Sequence, residues 1–168
     1  ENKLIKAVGS PDIRFTEDAL RLMRGIRLAS QLDFDLDSVT RESIEKNAYL
    51  LNSISRERVR DEFIKLIMTD FPMRGLVLMK DIGLLQYVIP ELERGIGVSQ
   101  NQAHMFDVWE HNLRTLQHSA DKKWPLHVRL SAIFHDISKP ETKRFSKEKN
   151  VITFYGHDVV GGRVTREI

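Results

Sequence analysis

The chain of 168 residues has 26 basic and 24 acidic side chains, so its formal net charge is only +2. The protein is therefore not basic as a whole, and any cationic surface for nucleic acid must be local. The hydrophobic share of 41% is typical of a folded globular chain, and the lack of cysteine excludes disulfide bonds and thiolate zinc sites. Apolar runs all fall short of the roughly 20 residues that span a bilayer, so we expect a cytoplasmic protein without a membrane partner.

The first predicted elements are a connector and a long helix. Residues 1–13 contain a Gly-Ser-Pro run that is typical of a loop. Thr16 fits a helix N-cap, and apolar residues at helical spacing predict that this helix continues to about Leu32. Because the sequence starts without Met and stops within the first turns of another predicted helix, we expect it to be a piece of a longer protein, truncated at both ends.

Further helices are predicted before residue 93. One spans about residues 40–52. Ser55 is placed to cap the next helix, whose apolar residues recur every three or four positions. Pro72 interrupts this pattern, and one or two short helices are predicted between it and residue 90.

The stretch 93–102 is the predicted linker between two parts, since it holds two glycines together with serine, asparagine and glutamine. Helices are predicted over residues 107–120 and 126–137. They are followed by a loop with a short hairpin around residues 151–154 and by the start of a helix near Val159. The predicted fold class is therefore all-α, in two helical parts.

A polar face stands out on the first predicted helix. At 100° per residue, Glu17, Asp18, Arg21 and Arg24 fall within one arc, opposite an apolar side. The spacing allows both acids to hold the Arg21 guanidinium. One interpretation is a solvated face of weak salt bridges. The other is a base-reading surface, because a carboxylate accepts from an exocyclic amine while arginine donates to ring nitrogens and carbonyls.

Three spaced motifs favour the second interpretation. They are RFTEDALRLMRGIRLASQLDFDLD at 14–37, ISRERVRDEFIKLI at 54–67 and GLLQYVIPEL at 83–92. Together they resemble the neck region of the class II tRNA nucleotidyltransferases, the family of CCA-adding enzymes and bacterial poly(A) polymerases. Ala19 departs from the family pattern, which usually has proline at this position.

The resemblance implies a helical nucleotide-recognition domain, the neck, over residues 14–92. It implies that Asp18 and Arg21 read the incoming CTP or ATP. It also implies that Glu17 braces the arginines and that Arg24 lies near the triphosphate or supports the pair. The implied partners are these nucleotides and a tRNA 3′ end or another RNA.

In the same family, the transfer step needs a palm sheet with a Gly-Ser motif and paired aspartates that hold two Mg²⁺ ions. The Gly-Ser pair at residues 9–10 is not followed by an Asp-x-Asp sequence. We therefore expect residues 1–13 to connect to a palm domain that precedes the chain. We also expect that this chain alone, without catalytic residues of its own, does not transfer nucleotides.

Histidines with acidic neighbours form a second constellation. His135 and Asp136 are adjacent in an apolar predicted helix, where their burial is costly unless they meet a metal or a hydrogen-bond partner. His104, Asp107 and His111 precede them at helical spacing. The plain interpretation of that triplet is a set of polar positions near a helix end. The alternative is that imidazole and carboxylate groups from separate helices bind a divalent ion.

The order of these residues resembles the HD phosphohydrolase superfamily, whose domain follows the neck in many bacterial nucleotidyltransferases of this family. The resemblance implies an HD domain over residues 103–168, with Lys139 beside a divalent metal. The metal ligands that it implies are His111, His135, Asp136 and His157. The last aspartate of the HD signature has no counterpart after His157, so we expect this domain to be incomplete at its C-terminus.

Three functions follow from these observations as hypotheses. The leading one is a part of a CCA-adding enzyme or poly(A) polymerase that helps select CTP or ATP and supports the RNA 3′ end. The second is a metal-dependent phosphohydrolase in which the HD domain does the chemistry. The third is a non-enzymatic helical RNA-binding module. The cations of residues 139–149 offer phosphate contacts, or form only an exposed charged loop.

Overall fold

The computed structural model describes residues 3–100 and 105–168 of the chain. The first two residues of the predicted connector, the end of the predicted linker and His104 lie outside these ranges. Within them the chain is mostly helical, with two pairs of very short strands, so the all-α prediction is confirmed. None of the helices in these ranges is long and apolar enough to cross a membrane.

The first part begins with a strand, followed by two helices that a short link joins. Strand β1 (Leu4–Ile5) pairs in parallel with β2 (Asp35–Leu36), so the predicted connector is partly ordered by pairing. Helix α1 (Pro11–Glu17) begins at its proline, whose fixed φ and missing N–H suit a first helical position. Helix α2 (Leu20–Leu32) follows after a break of two residues.

The single helix predicted from Thr16 is therefore wrong. Thr16 lies inside α1, where its hydroxyl donates to the carbonyl of Ile13 at 2.9 Å instead of capping a helix. Asp18 interrupts the chain with an extended backbone, φ −154° and ψ 101°. Its carboxylate accepts from the N–H of Leu20 at 3.2 Å, the kind of local bond by which aspartate competes with a continuous helix.

Short and medium helices complete the first part. They are α3 (Ser38–Asn47), a 3-10 helix (Ala48–Ser53), α4 (Arg56–Ile67), α5 (Pro72–Asp81), α6 (Leu85–Val88) and α7 (Pro90–Glu93). Asp37 caps α3 by accepting from the N–H of Thr40 at 3.1 Å. Pro72 interrupts the apolar spacing of α4, as predicted, and it also occupies the first position of α5. Helix α4 begins directly after Ser55, as predicted, but the Ser55 side chain makes no capping hydrogen bond.

The second part alternates helices with a hairpin. Its elements are α8 (Val108–Asp121), α9 (Leu126–Phe134), α10 (Lys139–Thr142), β3 (Arg144–Ser146), β4 (Val151–Thr153) and α11 (His157–Glu167). Strands β3 and β4 are antiparallel and form the predicted hairpin. Helix α9 stops before its predicted end at residue 137, so His135 and Asp136 lie in a turn. Helix α11 starts at His157, earlier than predicted, after Gly156 with φ +77°.

One hydrophobic core runs through both parts. It includes Leu22, Ile26, Ile67 and Leu76 of the first part and Trp109, Leu113, Leu116 and Ile133 of the second. Helix α5 packs on α8, and α4 packs on α9. The described part of the predicted linker is tied to the start of α8, since the Gly97 N–H donates to the Asp107 carboxylate at 2.7 Å. The division into residues 14–92 and 103–168 stays a prediction.

A buried arginine joins the two parts. Arg129 of α9 is 2% exposed. Its Nη1 donates to the carbonyls of Ile67 and Thr69, at 3.0 and 2.8 Å, where α4 ends. Its Nε donates to the carbonyl of Trp124 at 3.0 Å. Arg129 therefore anchors α9 on the first part, a few residues before His135, which follows the helix.

Candidate functional site

The first candidate site is the junction between α1 and α2, formed by Glu17, Asp18, Arg21 and Arg24 with their partners. Glu17 Oε2 accepts from Nη1 of Arg14 at 2.5 Å and from Nη1 of Arg21 at 2.6 Å. The hydrogen bond from Arg21 holds the pKa of Glu17 below its usual range, against a smaller opposite effect of desolvation. Glu17 thus fixes both guanidinium groups at the end of α1.

Asp18 is held by different arginines. Nη2 of Arg58, on α4, lies 3.2 Å from each carboxylate oxygen, and Nη1 of Arg24 lies 3.9 Å from Oδ2. The expectation that both acids hold Arg21 is therefore wrong for Asp18. The break between the two helices is the reason, because it takes Asp18 off the helical face that it was predicted to share with Arg21.

A buried carboxylate lies beside the junction. Glu62 of α4 has 3% of its side chain exposed and is contacted by Lys65 at 2.8 Å, Arg27 at 3.0 Å and Arg24 at 3.9 Å. Burial raises the pKa of Glu62, but the hydrogen bonds from Lys65 and Arg27 outweigh it and leave this pKa below its usual value. Three cations around one carboxylate leave a local surplus of positive charge, which suits an anionic ligand.

The junction offers hydrogen-bonding groups of both kinds. Asp18 and Arg21 are one turn apart, since the Arg21 N–H donates to the Asp18 carbonyl at 3.1 Å. Both side chains are partly exposed, and each is fixed by a separate partner. The junction therefore carries a carboxylate acceptor and a guanidinium donor one turn apart, and this combination can complement a ligand edge that carries an amino group beside an acceptor nitrogen.

The second candidate site, the histidine cluster, consists of His111, His135, Asp136 and His157. His111 lies in the first turns of α8, and Asp107 caps that helix by accepting a backbone N–H. The turn after α9 carries His135 and Asp136, and His157 is the first residue of α11. The plain interpretation of the triplet therefore holds for Asp107, whereas His111 belongs to the cluster.

Asp136 is the centre of the cluster and is 3% exposed. Its Oδ2 lies 3.3 Å from Nε2 of His135 and 3.5 Å from Nε2 of His111. Its Oδ1 lies 3.6 Å from Nε2 of His157. The Nε2 atoms of His111 and His135 are 3.0 Å apart. The structure thus brings the three predicted histidine ligands to the carboxylate of the fourth predicted ligand, Asp136.

Backbone carbonyls orient two of the rings. Nδ1 of His135 lies 2.9 Å from the carbonyl of Ala132, and Nδ1 of His157 lies 2.8 Å from that of Phe154. Because a carbonyl only accepts, each Nδ1 carries a hydrogen, which leaves Nε2 as the ring nitrogen that faces the cluster. Metal-binding histidines are commonly oriented by such a bond at the other ring nitrogen.

Lys139 completes the charge balance of the cluster. Its Nζ lies 2.7 Å from Oδ2 of Asp136 and donates to Oε1 of Gln100 at 2.7 Å. Burial raises the pKa of Asp136, but hydrogen bonds from His135 and Lys139 outweigh it and keep this pKa far below the usual range. Burial lowers the pKa of His135, but the hydrogen bond to Asp136, the charge of Asp136 and the Ala132 carbonyl together raise this pKa above its usual value. Asp136 is therefore ionised at neutral pH.

The donor set of the cluster fits a divalent metal ion. Imidazole nitrogens with a carboxylate are suitable ligands for zinc, iron or manganese. Ligand atoms of His111, His135 and Asp136 lie within 4.8 Å of one another, so one ion can reach all three. Lys139 contacts the same oxygen of Asp136, so an ion there shares that oxygen with the ammonium group or displaces it.

Some contacts at the two candidate sites could not be predicted from the sequence. Arg58 belongs to the second motif, but its partner is Asp18, 40 positions away. Gln100 falls in the predicted linker, yet it is buried and holds Lys139. Neither contact has a local signal, because each joins residues that are distant in sequence.

Comparisons with known proteins agree with the motifs. A family model described as "Probable RNA and SrmB- binding site of polymerase A" matches residues 33–96. The CC-adding tRNA nucleotidyltransferase of Thermus thermophilus is 38% identical over 160 residues, which cover 89% of this chain and 36% of that protein. The A-adding tRNA nucleotidyltransferase of Deinococcus radiodurans is 30% identical over 175 residues, covering 100% of this chain and 40% of that protein.

A solved structure is similar over nearly the whole chain. It is the crystal structure of the Bacillus stearothermophilus CCA-adding enzyme in complex with CTP, with a TM-score of 0.54 and 26% sequence identity. The match covers 98% of this chain and 46% of that one. The chain therefore spans less than half the length of these similar proteins.

Proposed function

The chain belongs to the tRNA nucleotidyltransferase family, and from that membership we propose that its helix junction selects the nucleotide added to a tRNA 3′ end. In this proposal residues 14–92 are the neck, and they take CTP or ATP and support the end of the RNA. The RNA-binding description of the family model and the CTP complex of a similar enzyme support this assignment.

The observation that carries the proposal is the presence of an acceptor, Asp18, and a donor, Arg21, at the same junction, each held by another residue. Cytosine and adenine each present an amino group beside an unprotonated ring nitrogen, whereas uracil and guanine present the reverse order. Asp18 can accept from the amino group while Arg21 donates to the ring nitrogen. Because Glu17 and Arg58 hold these two side chains, the pair is fixed before a base arrives.

The surplus of cations around Glu62 gives the same site a place for the triphosphate. Arg24 contacts both Asp18 and Glu62 at 3.9 Å, so it lies between the proposed base reader and the buried carboxylate. Glu17 and Asp18 are both engaged by arginines, so we do not assign them to the Mg²⁺ ions that the transfer step needs. In this proposal those ions belong to the palm region of the whole protein.

Substitutions at the junction test the proposal in the natural gene product that contains this chain. Asp18→Asn and Arg21→Ala are expected to lower the preference for CTP over UTP, measured as a ratio of kcat/KM, by roughly ten- to hundredfold. Arg21→Lys keeps the charge but loses the planar fork, so it should lower the preference as well.

Asp61→Asn and Arg60→Ala are matched controls, because these residues form an exposed acid–arginine pair on the same first part, at 3.0 Å. They should leave the preference unchanged. A preference that stays at the wild-type level in both junction variants would remove base reading from Asp18 and Arg21.

A second function is favoured by the histidine cluster. We propose that it is a metal site of the HD type within residues 103–168. When bound there, a divalent ion supplies Lewis-acid activation of a phosphoester and of water. The residues of the chain hold that position, and Lys139 adds positive charge next to Asp136, which suits a phosphate.

Metal binding is the direct test of the cluster. Equilibrium dialysis against Mn²⁺ is expected to leave metal on the wild-type chain. Affinity should fall at least about tenfold in His111→Ala, because even the loss of a residue that only orients a metal ligand costs about 10- to 100-fold. His127→Ala removes an exposed histidine of α9 and serves as the control. Equal binding by all three proteins, or none by the wild type, would exclude a site at the cluster.

A further inference from the structure

The β3–β4 hairpin presents cations that are not neutralised. Its cations are Lys143, Arg144, Lys147 and Lys149. Within residues 3–100 and 105–168, none of these four forms an ion pair with a carboxylate, and their hydrogen bonds go to neutral groups, such as the Ser99 hydroxyl for Lys143 and backbone carbonyls for Arg144. Some cations elsewhere, such as Arg14 and Lys46, are paired with acids. Glu148 lies in the turn between the strands, so four cations and one acid leave a net charge of +3 on this segment.

Exposed aromatic rings accompany these cations. Phe145, in β3, is 62% exposed, and Tyr155, just after β4, is 73% exposed. Nζ of Lys149 lies 3.0 Å from the Tyr155 hydroxyl and 5.7 Å from the centre of its ring. An ammonium group beside an exposed ring can contact a phosphate while the ring stacks on the neighbouring base.

The hairpin leads directly into the histidine cluster. Phe154 follows β4, and its carbonyl orients His157 at 2.8 Å. The Phe154 ring lies 5.4 Å from Nζ of Lys139, which is itself bonded to Asp136. A strand of nucleic acid held on the hairpin would thus lie close to the cluster.

We propose that the β3–β4 hairpin binds single-stranded RNA, with its exposed rings stacking on bases and its cations contacting phosphates. The inference rests on the proposed function, which makes RNA the partner of the whole protein. Single strands fit better than duplexes, because a stacking ring needs a base whose face is free. Unpaired cations beside exposed rings complement such a strand in both charge and surface.

Fluorescence anisotropy with a fluorescein-labelled oligoadenylate of about ten nucleotides tests the proposal on the full chain. The double variant Phe145→Ala/Tyr155→Ala is expected to bind roughly tenfold more weakly, with an unchanged dependence on salt. Lys147→Ala/Lys149→Ala should lower the slope of log affinity against log salt by about 0.7 for each phosphate that the variant no longer neutralises. Tyr155→Phe keeps the ring and should bind almost as the wild type does.

Tyr49→Ala and Lys122→Ala are matched controls, since both side chains are exposed and lie outside the hairpin. Wild-type affinity in both double variants would overturn the proposal, as would a wild-type chain that does not bind the oligonucleotide. Equal affinity for duplex RNA, with no effect of the aromatic variant, would overturn it too.

Nucleotide selection gives an independent readout. The hairpin variants should leave the preference for CTP over UTP unchanged, because this preference is proposed to be set at the junction. A failure of hairpin binding and a failure of base reading are therefore distinguishable.

Discussion

Asp136 illustrates how a single carboxylate organises a site. Its carboxylate forms an ion pair with Lys139, lies within 3.6 Å of three imidazole nitrogens and is nearly inaccessible to solvent. A buried anion is costly unless partners surround it, so the lysine and the histidines are what allow it to remain ionised. The same partners define the directions from which a metal ion could approach.

Residues that lie close together in the fold could be selected from the sequence only where a recognisable motif contains them. His111, His135, Asp136 and His157 can be selected from the sequence, and the structure brings them together. Their metal-binding role stays a prediction. The partner of Asp18 could not be predicted, because Arg58 comes from another helix and the choice between Arg21 and Arg58 depends on a break in the backbone.

A pH-dependent contribution is expected from Asp12. Hydrogen bonds from Ser43 and then Lys46 lower its pKa from 3.8 to about 2 in the folded protein. A depressed carboxyl pKa stabilises the fold above the unfolded value, and this contribution is lost as the pH falls from about 4 towards 2. Asp12→Asn should therefore lower the Tm at neutral pH, with the difference from wild type shrinking over that range.

Thermal unfolding followed by circular dichroism at a series of pH values measures this difference. Asp61→Asn makes the same change in charge at an exposed acid of α4. A pH profile for Asp61→Asn that matches that of Asp12→Asn would assign the effect to net charge instead of the contacts of Asp12.

At the scale of elements, only some helix starts were predictable: α1 begins at Pro11, inside the stretch predicted as a connector, whereas Ser55 and Pro72 were predicted next to helix starts. Helix α4 starts after Ser55 as predicted. The break between α1 and α2 has neither glycine nor proline, and the apolar spacing continues through it, so the pattern alone could not reveal it. The early end of α9 was missed for the same reason, since Ile137 continues the apolar pattern.

Arg129 is expected to be a major link between elements. Arg129→Met would leave the carbonyls of Ile67 and Thr69 without their donor inside the protein. Each buried polar group left unsatisfied costs about 1–3 kcal/mol, so the free energy of unfolding should fall by about 3 kcal/mol. Urea denaturation measures this loss. Arg163→Met, an exposed arginine of α11, is the control, and an equal loss there would contradict the assigned role.

At the scale of the whole molecule, the core continues across the predicted linker. Helices α8 and α9 complete the packing of α5 and α4, so neither part has a fully closed core of its own. The glycines and polar residues of 93–102 predict a boundary there. They carry no signal of the packing across that boundary, because such packing depends on distant apolar residues.

Unfolding of the two parts is therefore expected to be coupled. Both tryptophans, Trp109 and Trp124, lie in the second part, so their fluorescence reports on that part. Leu76→Ala opens a cavity in the first part and should destabilise the protein by about 2–5 kcal/mol. Because the core is shared, the fluorescence and circular dichroism transitions should move together to lower urea concentrations.

Separate transitions in that experiment would contradict the coupling. Tyr49→Ala, at an exposed residue of the first part, is the control and should move neither transition.

The shared core also constrains how genes for such proteins can recombine. A crossover at residues 93–102 would join α4 and α5 of one parent to α8 and α9 of another, and a chimera folds only if those faces remain complementary. Substitutions at Leu76 or Ile67 should therefore be accompanied, over evolutionary time, by compensating changes at Leu113 or Ile133. The two parts are expected to be inherited as one unit, although the sequence between them has the composition of a linker between domains.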